Sequence, residues 1–263
     1  MTTRKLAELS GPATLDRLSA DSVIILPIGA IEHHGPHLPL VTDSLIAESV
    51  ASAAVERGVA AGLDLWQLPT LSFTKSDEHH WASGTMWINW DTLMSTLIDI
   101  GRSVANTPAR RLVFVNGHGG NAALLGVANR ELRRRFGLST FSMAAGSVTA
   151  ATGEGGEPDE HGMGIHAGFG ETSLVMHLRP DLVTPELAER NLPEHMAALQ
   201  YIGFNGYPVS FGWTSDDFGL SGVIGDPTGA SAARGAELFE RAVDNVVGAL
   251  GEIAVFTPRA SGE

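Results

Sequence analysis

An α/β fold with a mostly parallel sheet and helices on both faces, in three layers, is predicted by three observations. Short apolar, β-rich runs alternate with segments of helical period along the chain. The 263 residues are enough for one large α/β domain, and no repeat, low-complexity block or linker divides residues 1–263. There are 31 glycines, well above the roughly 7% of an average chain, as many tight turns require.

Each element has its own signal. Residues 23–27 (Val-Ile-Ile-Leu-Pro) form a continuous apolar run, the pattern of a parallel strand buried on both faces. A polar loop follows over 32–42. Residues 43–57 have helical composition, with Leu45, Ile46, Ser49, Val50 and Ala53 on one stripe and Gly58 as the stop. Residues 66–73 read as a second strand. Residues 89–105 form a helix, with Leu93, Leu97 and Ile100 at helical spacing, closed by Asn-Thr-Pro. A third strand, 111–116, turns through Gly117-His118-Gly119-Gly120-Asn121 directly into a helix ending near Phe136. Residues 138–145 suit a fourth strand. Residues 147–164 are rich in Gly and acid without periodicity and read as a loop or mobile lid, whose carboxylates should resist burial. A buried helix spans 171–178, residues 185–226 are irregular, and Pro227-Thr228 opens a last helix to about Ile253.

Composition excludes several functions. With no Cys, thiolate catalysis, Cys-ligated zinc and iron–sulfur clusters are ruled out. A net charge of −13 argues against nucleic acid as a partner, since phosphate binding needs a basic face. No apolar run approaches the roughly 20 residues of a membrane span, and the charged N-terminal stretch lacks a signal-peptide core. A cytoplasmic protein is expected.

Seven of the ten histidines (33, 34, 37, 79, 80, 118 and 166) fall in four short segments that also carry Gly, Asp or Glu. Ligands of open α/β sheets bind beyond the carboxyl ends of the strands, and two strand ends here carry candidate metal ligands. Glu32, His33, His34, His37 and Asp43 follow the first; His118, flanked by glycines, follows the third. Imidazole with carboxylate suits Zn, Mn or Fe. Any one of these histidines alone would more often be an ordinary hydrogen-bonded residue, and residues 117–121 could also cradle a phosphate. Together, in register with strand ends, they favour a metal site. No Ser sits in a nucleophile-elbow G-x-S-x-G setting.

The segment Pro27-Ile28-Gly29-Ala30-Ile31-Glu32-His33-His34-Gly35-Pro36-His37-Leu38-Pro39, with Asp43, closely resembles the opening motif of the creatininase (creatinine amidohydrolase) family, P-x-G-x-x-E-Q-H-G-P-H-L-P followed by D. Further matches follow in family order: Glu78-His79 with Gly84-Thr85, then residues 116–121. His166-Ala167-Gly168 with Glu171-Thr172-Ser173 comes next, and Gly222 to Pro227 closes the series. The resemblance spans about residues 20–250.

The resemblance implies a two-metal hydrolase that attacks a C–N amide bond with metal-bound hydroxide. It makes Glu32 a ligand of one ion with His118, His34 a ligand of the other, and Asp43 a bridge. Some members place the last carboxylate two residues after the strand-top His, where this chain has Gly120; Glu171 is the substitute. Two divalent ions, with Glu32, Asp43, Glu171 and one hydroxide, form a neutral set. His166 occupies the catalytic proton-shuttle position. His33 stands where Gln is usual and reads as substrate-facing, with Glu78, His79, Gly119 and Gly120 lining the pocket, while His37 orients a ligand carboxylate or stabilises its loop.

The expected substrate is a small amide, either open-chain or cyclic in the lactam or creatinine manner. Creatinine itself fits poorly, because residues 137–170 contain none of the tryptophans that sandwich its ring in family members. A formamide hydrolase acting on a pyrimidine cofactor intermediate and a mycofactocin-type peptidase are alternatives on the same scaffold. A non-catalytic metal-binding regulatory or assembly subunit is the alternative of another class. The family also implies a homo-oligomer, commonly a hexamer, with the apolar segment of Trp81, Met86, Trp87, Ile88 and Trp90 near the contact.

Overall fold

A computed structural model describes residues 3–146, 157–204 and 207–257. Four parallel strands, β1 (Val23–Ile28), β2 (Leu65–Gln67), β3 (Arg111–Asn116) and β4 (Ser139–Ala144), form a sheet in the order β2-β1-β3-β4. The helices are α1 (Gly11–Arg17), α2 (Thr42–Ala60), α3 (Trp90–Ala105), α4 (Ala122–Phe136), α5 (Phe169–Leu178) and α6 (Ala232–Val255).

Alternation along the strands produces the three layers. Val23, Ile25, Val113 and Val115 point to a core shared with α2, α5 and α6. Ile24, Leu26, Ile28, Leu112 and Phe114 point the other way, against α3 and α4. Each fully buried side chain of this size stabilises the fold by about 1.5–3 kcal/mol. Because both faces are covered, β1 is apolar and buried at every position and β3 at its four inner ones, which is why β1 reads as an unbroken hydrophobic run.

The strand order places the site. From β1 the chain crosses through α2 to β2 on one flank. It then returns through α3, on the opposite face, to β3 on the other flank. The winding therefore reverses between β1 and β3, and their carboxyl ends open a crevice at that switch point. The two motif-bearing loops emerge there.

Several boundaries differ from those expected. β2 stops at Gln67, short of residue 73, because Pro69 has no N–H for the ladder; only an isolated bridge, Leu71 to Ile28, continues it. Helix α2 runs past Gly58, where a Cβ would lie 2.5 Å from Leu65 Cδ1, so this glycine serves packing rather than termination. The last helix begins at Ala232, where the Ser231 hydroxyl accepts from Arg234 N–H, instead of at Pro227. Helix α1, capped by Ser10 with a proline in its first turn, has no counterpart in the sequence reading. Within the stretch 185–226, expected to be irregular, the described residues include short 3₁₀ turns at Pro185–Leu187, Glu194–Met196 and Ser215–Phe218.

Candidate metal centre

Three segments meet over the crevice. The loop after β1 carries Glu32 and His34, the first turn of α2 carries Asp43, and the loop after β3 carries His118. Gly117 makes that meeting possible: a Cβ there would lie 2.3 Å from the Asp43 carbonyl oxygen. Helix α5 adds Glu171 from its first turn, and His166 stands just before it. All six side chains are buried.

The distances define two acidic groups around one carboxylate. His118 Nδ1 lies 3.0 Å from Asp43 Oδ2 and 3.3 Å from Glu32 Oε2. His34 Nε2 lies 3.1 Å from Asp43 Oδ1 and 4.0 Å from Glu171 Oε2. Thus Glu32–Asp43–His118 and His34–Asp43–Glu171 each present three ligand atoms within 4.8 Å of one another, and Asp43 belongs to both. A third such group, Glu32–His34–His166, overlaps them. His166 Nδ1 lies 3.5 Å from Glu32 Oε1, an oxygen that is buried and accepts no hydrogen bond.

The outward nitrogens of these imidazoles determine what the inward ones offer. His34 Nδ1 donates to the Glu32 backbone carbonyl at 3.1 Å, His118 Nε2 to that of Lys75 at 2.8 Å, and His166 Nε2 to that of His33 at 2.7 Å. A carbonyl can only accept, so each ring carries a proton on its outer nitrogen. In a neutral ring the inner nitrogen is then a bare lone pair facing carboxylate oxygens, which is repulsive unless a proton or a metal cation lies between. This donor set fits divalent ions, and ligating histidines are commonly held in this way.

The titration behaviour has the same cause. Burial raises the Glu32 carboxyl, but the positive His118 beside it outweighs this and holds it at about 2. Burial works against a charged His34, and Asp43 with its hydrogen bond overrides it, raising the imidazole to about 10. His118 is likewise raised against its burial, by Glu32 and Asp43. Glu171, with burial dominating and Asp43 and Glu32 adding repulsion, rises to about 7. His166 goes the other way: burial, then the charge on His34, holds it well below its ordinary value.

The remaining candidates take varied positions. A cavity of about 420 Å³ opens over the centre, lined by Glu32, Asp43, Glu78, His118, Gly119, Gly120, His166 and Glu171. His79 stays behind it, stacked on His166 with ring centroids 4.2 Å apart and Nε2 3.7 Å from Glu32 Oε1. The His33 ring, expected to face substrate, instead packs beside Trp81 and over Gly222, and only its backbone serves the site. His37 holds the Thr172 hydroxyl at 2.9 Å, tying its loop to α5 rather than orienting a carboxylate.

Part of the expected lid, residues 147–156, lies outside the described residues. Its continuation departs from the expectation, because Glu160 is buried and accepts from the Phe169 and Asp226 amides, and Glu157 pairs with Arg234.

The sequence reading missed Ser76, whose hydroxyl donates to Glu32 Oε2 at 2.5 Å. It also missed the outer cavity wall of Phe204, Phe211 and Trp213. Proximity to Glu78-His79 was a signal for the first; the wall lies in an aperiodic stretch that carried none.

Against known proteins, the sequence matches the creatininase profile, described as creatinine amidohydrolase, over residues 7–250. The chain belongs to the creatininase family. A mycofactocin precursor peptide peptidase of Mycobacterium tuberculosis (strain H37Rv) is 36% identical over 247 residues, 90% of this chain and 88% of that one. The creatinine amidohydrolase of Pseudomonas putida is 30% identical over 250 residues, 89% and 90% of the two chains. A crystal structure of creatininase superposes with a TM-score of 0.75 at 26% identity, covering 98% of this chain and all of the other. Solved creatininases also include a manganese form (25%, TM-score 0.75) and a zinc–zinc variant (26%, TM-score 0.74), each covering 97% of this chain and 100% of its own. The creatininase fold and this three-layer parallel sheet are thus the same architecture.

Proposed function

We propose that this creatininase-family amidohydrolase holds two divalent ions and hydrolyses a C–N bond of a peptide-type substrate. The observation that carries the reading is the pair of acidic triads sharing Asp43. Glu32, Asp43 and His118 would hold one ion, and His34, Asp43 and Glu171 the other, with Zn and Mn suggested by the solved creatininases. Ions bound in such a pair acidify water and polarise a carbonyl.

The protein's own residues supply the rest. His166 donates its Nε2–H to the His33 carbonyl, so Nδ1 is the atom left to take a proton and pass it to the departing nitrogen. Phe204, Phe211 and Trp213 form an apolar wall that limits water and offers area to an extended substrate.

A peptide is preferred to creatinine on two grounds. The mycobacterial peptidases are more similar to this chain than the Pseudomonas creatinine amidohydrolase. Residues 137–170 also lack tryptophan. A small cyclic amide is the second reading, favoured by the flat faces of Phe211 and Trp213 in the cavity wall. Protein stripped of metal and reloaded with Mn²⁺ or Zn²⁺ should cleave short peptides with a higher kcat/KM than creatinine or lactams. Failure to take up ions, or a preference for creatinine, would refute this.

The reading includes a homo-oligomer, for which the hexamer is the natural candidate. Phe73, Met86, Trp87 and Trp90 are exposed, Trp90 to 64%. Trp81 and Ile88 are half-buried beside them, Trp81 donating to Ser215 and Ile88 packing against the core. Light scattering at micromolar concentration should show an assembly, and a monomer would remove it.

A further inference from the structure

Glu78 has no place in either triad, yet it lines the cavity over the centre and reaches His118. Its Oε1 lies 3.2 Å from His118 Nε2, on the ring edge opposite Asp43 and Glu32. Its other oxygen is gripped by Lys75 Nζ at 2.9 Å, and Lys75 also contributes the carbonyl that accepts from His118 Nε2. The space it fills is reserved for it, because a Cβ on Gly120 would lie 1.9 Å from Glu78 Oε1 and 2.4 Å from His118 Nε2. Any side chain at 120 would push this carboxylate away from the imidazole.

We infer that Glu78 is a positioning residue for His118: with the Lys75 carbonyl it fixes the proton on Nε2 and the ring plane, so that the Nδ1 lone pair is aimed between Asp43 and Glu32. The inference rests on the two-ion reading above. Its physical basis is that a carboxylate on the far N–H of a ligating imidazole sets tautomer and orientation and raises the basicity of the ligating nitrogen. Glu78 thereby acts on only one of the two triads, since His34 and Glu171 make no contact with it among the described residues. Lys75, shared with Asp77 at 2.8 Å, partly offsets the charge and anchors the side chain through its second oxygen.

The test is competitive titration of metal-stripped protein with Mn²⁺ and Zn²⁺ against a chromophoric chelator, for the wild type, Glu78→Ala and Glu78→Gln. Co²⁺ absorption spectra and thermal melts of the stripped proteins accompany it. In Glu78→Ala one ion should bind about 10–100-fold more weakly, with the other unchanged and a shifted Co²⁺ band for the weakened site. Glu78→Gln, which keeps shape and an acceptor but loses charge, should recover part of that affinity; if Glu78→Ala does not fold, the weakening in Glu78→Gln decides. Equal affinities in all three proteins, or altered melting without altered affinity, would overturn the positioning role. A wild type that binds no ion would overturn the two-ion reading itself, a distinguishable failure.

Discussion

Replacing Asp43 with alanine should empty both metal positions, whereas replacing Glu171 or His118 should weaken only one. Asp43 turns Oδ1 toward His34 and Oδ2 toward His118, and it alone belongs to both the His118 and the Glu171 triads. Without it, each triad falls from three side-chain ligands to two and loses one of its two carboxylates. Removing one partner of a buried charge pair costs about 3–5 kcal/mol, and each 1.4 kcal/mol is tenfold in affinity. Each ion should therefore bind roughly 10²–10⁴-fold more weakly in Asp43→Ala. Elemental analysis after gel filtration and calorimetric titration of stripped protein with Mn²⁺ measure this, with circular dichroism confirming the fold. Two ions retained in Asp43→Ala, or both lost in Glu171→Ala, would refute the shared-carboxylate arrangement.

Three further outcomes are expected. His166→Ala should lower kcat by about 10²–10⁴-fold while leaving metal content intact; loss of an ion would instead make His166 a ligand in the Glu32–His34–His166 group. Chelation should lower Tm by roughly 10–20 °C, taking two ions each at about 100 times its Kd and about 2–4 °C per kcal/mol for a chain of this size; an unchanged melt would remove the ions' contribution to stability. The pH dependence of the stripped protein should include a contribution from His37, which burial and then the charge on His34 hold at about 4, below the ordinary 6.5. A His with a depressed folded pKa contributes stability that is present above 6.5 and lost as pH falls toward 4, because the unfolded chain takes up the proton first. Thermal melts between these limits should fall less steeply in His37→Gln, and identical slopes would exclude His37.

Periodicity and strand-end chemistry were legible along the chain because both are local. The apolar run of β1 and the stripe of α3 announce their elements, and Glu32, His34 and His118 stand directly after strands whose ends the parallel topology brings together. Asp43 and Glu171 could be nominated through the family motif, but their meeting around His34 depends on how α2 and α5 pack on one face of the sheet. Shape and long-range contact were not legible. Position 120 shows only a missing side chain until folding brings Glu78, 42 positions earlier, into the same space. The aromatic wall comes from Phe204, Phe211 and Trp213, whose ring contacts are with one another and with Phe218 rather than along one helix face, so the sequence shows no period there. His33, at the position where Gln is usual, was expected to face substrate beside the ligand His34. The motif assigned the His34 ring to the cluster, but that the His33 ring turns to Trp81 depends on packing around the loop.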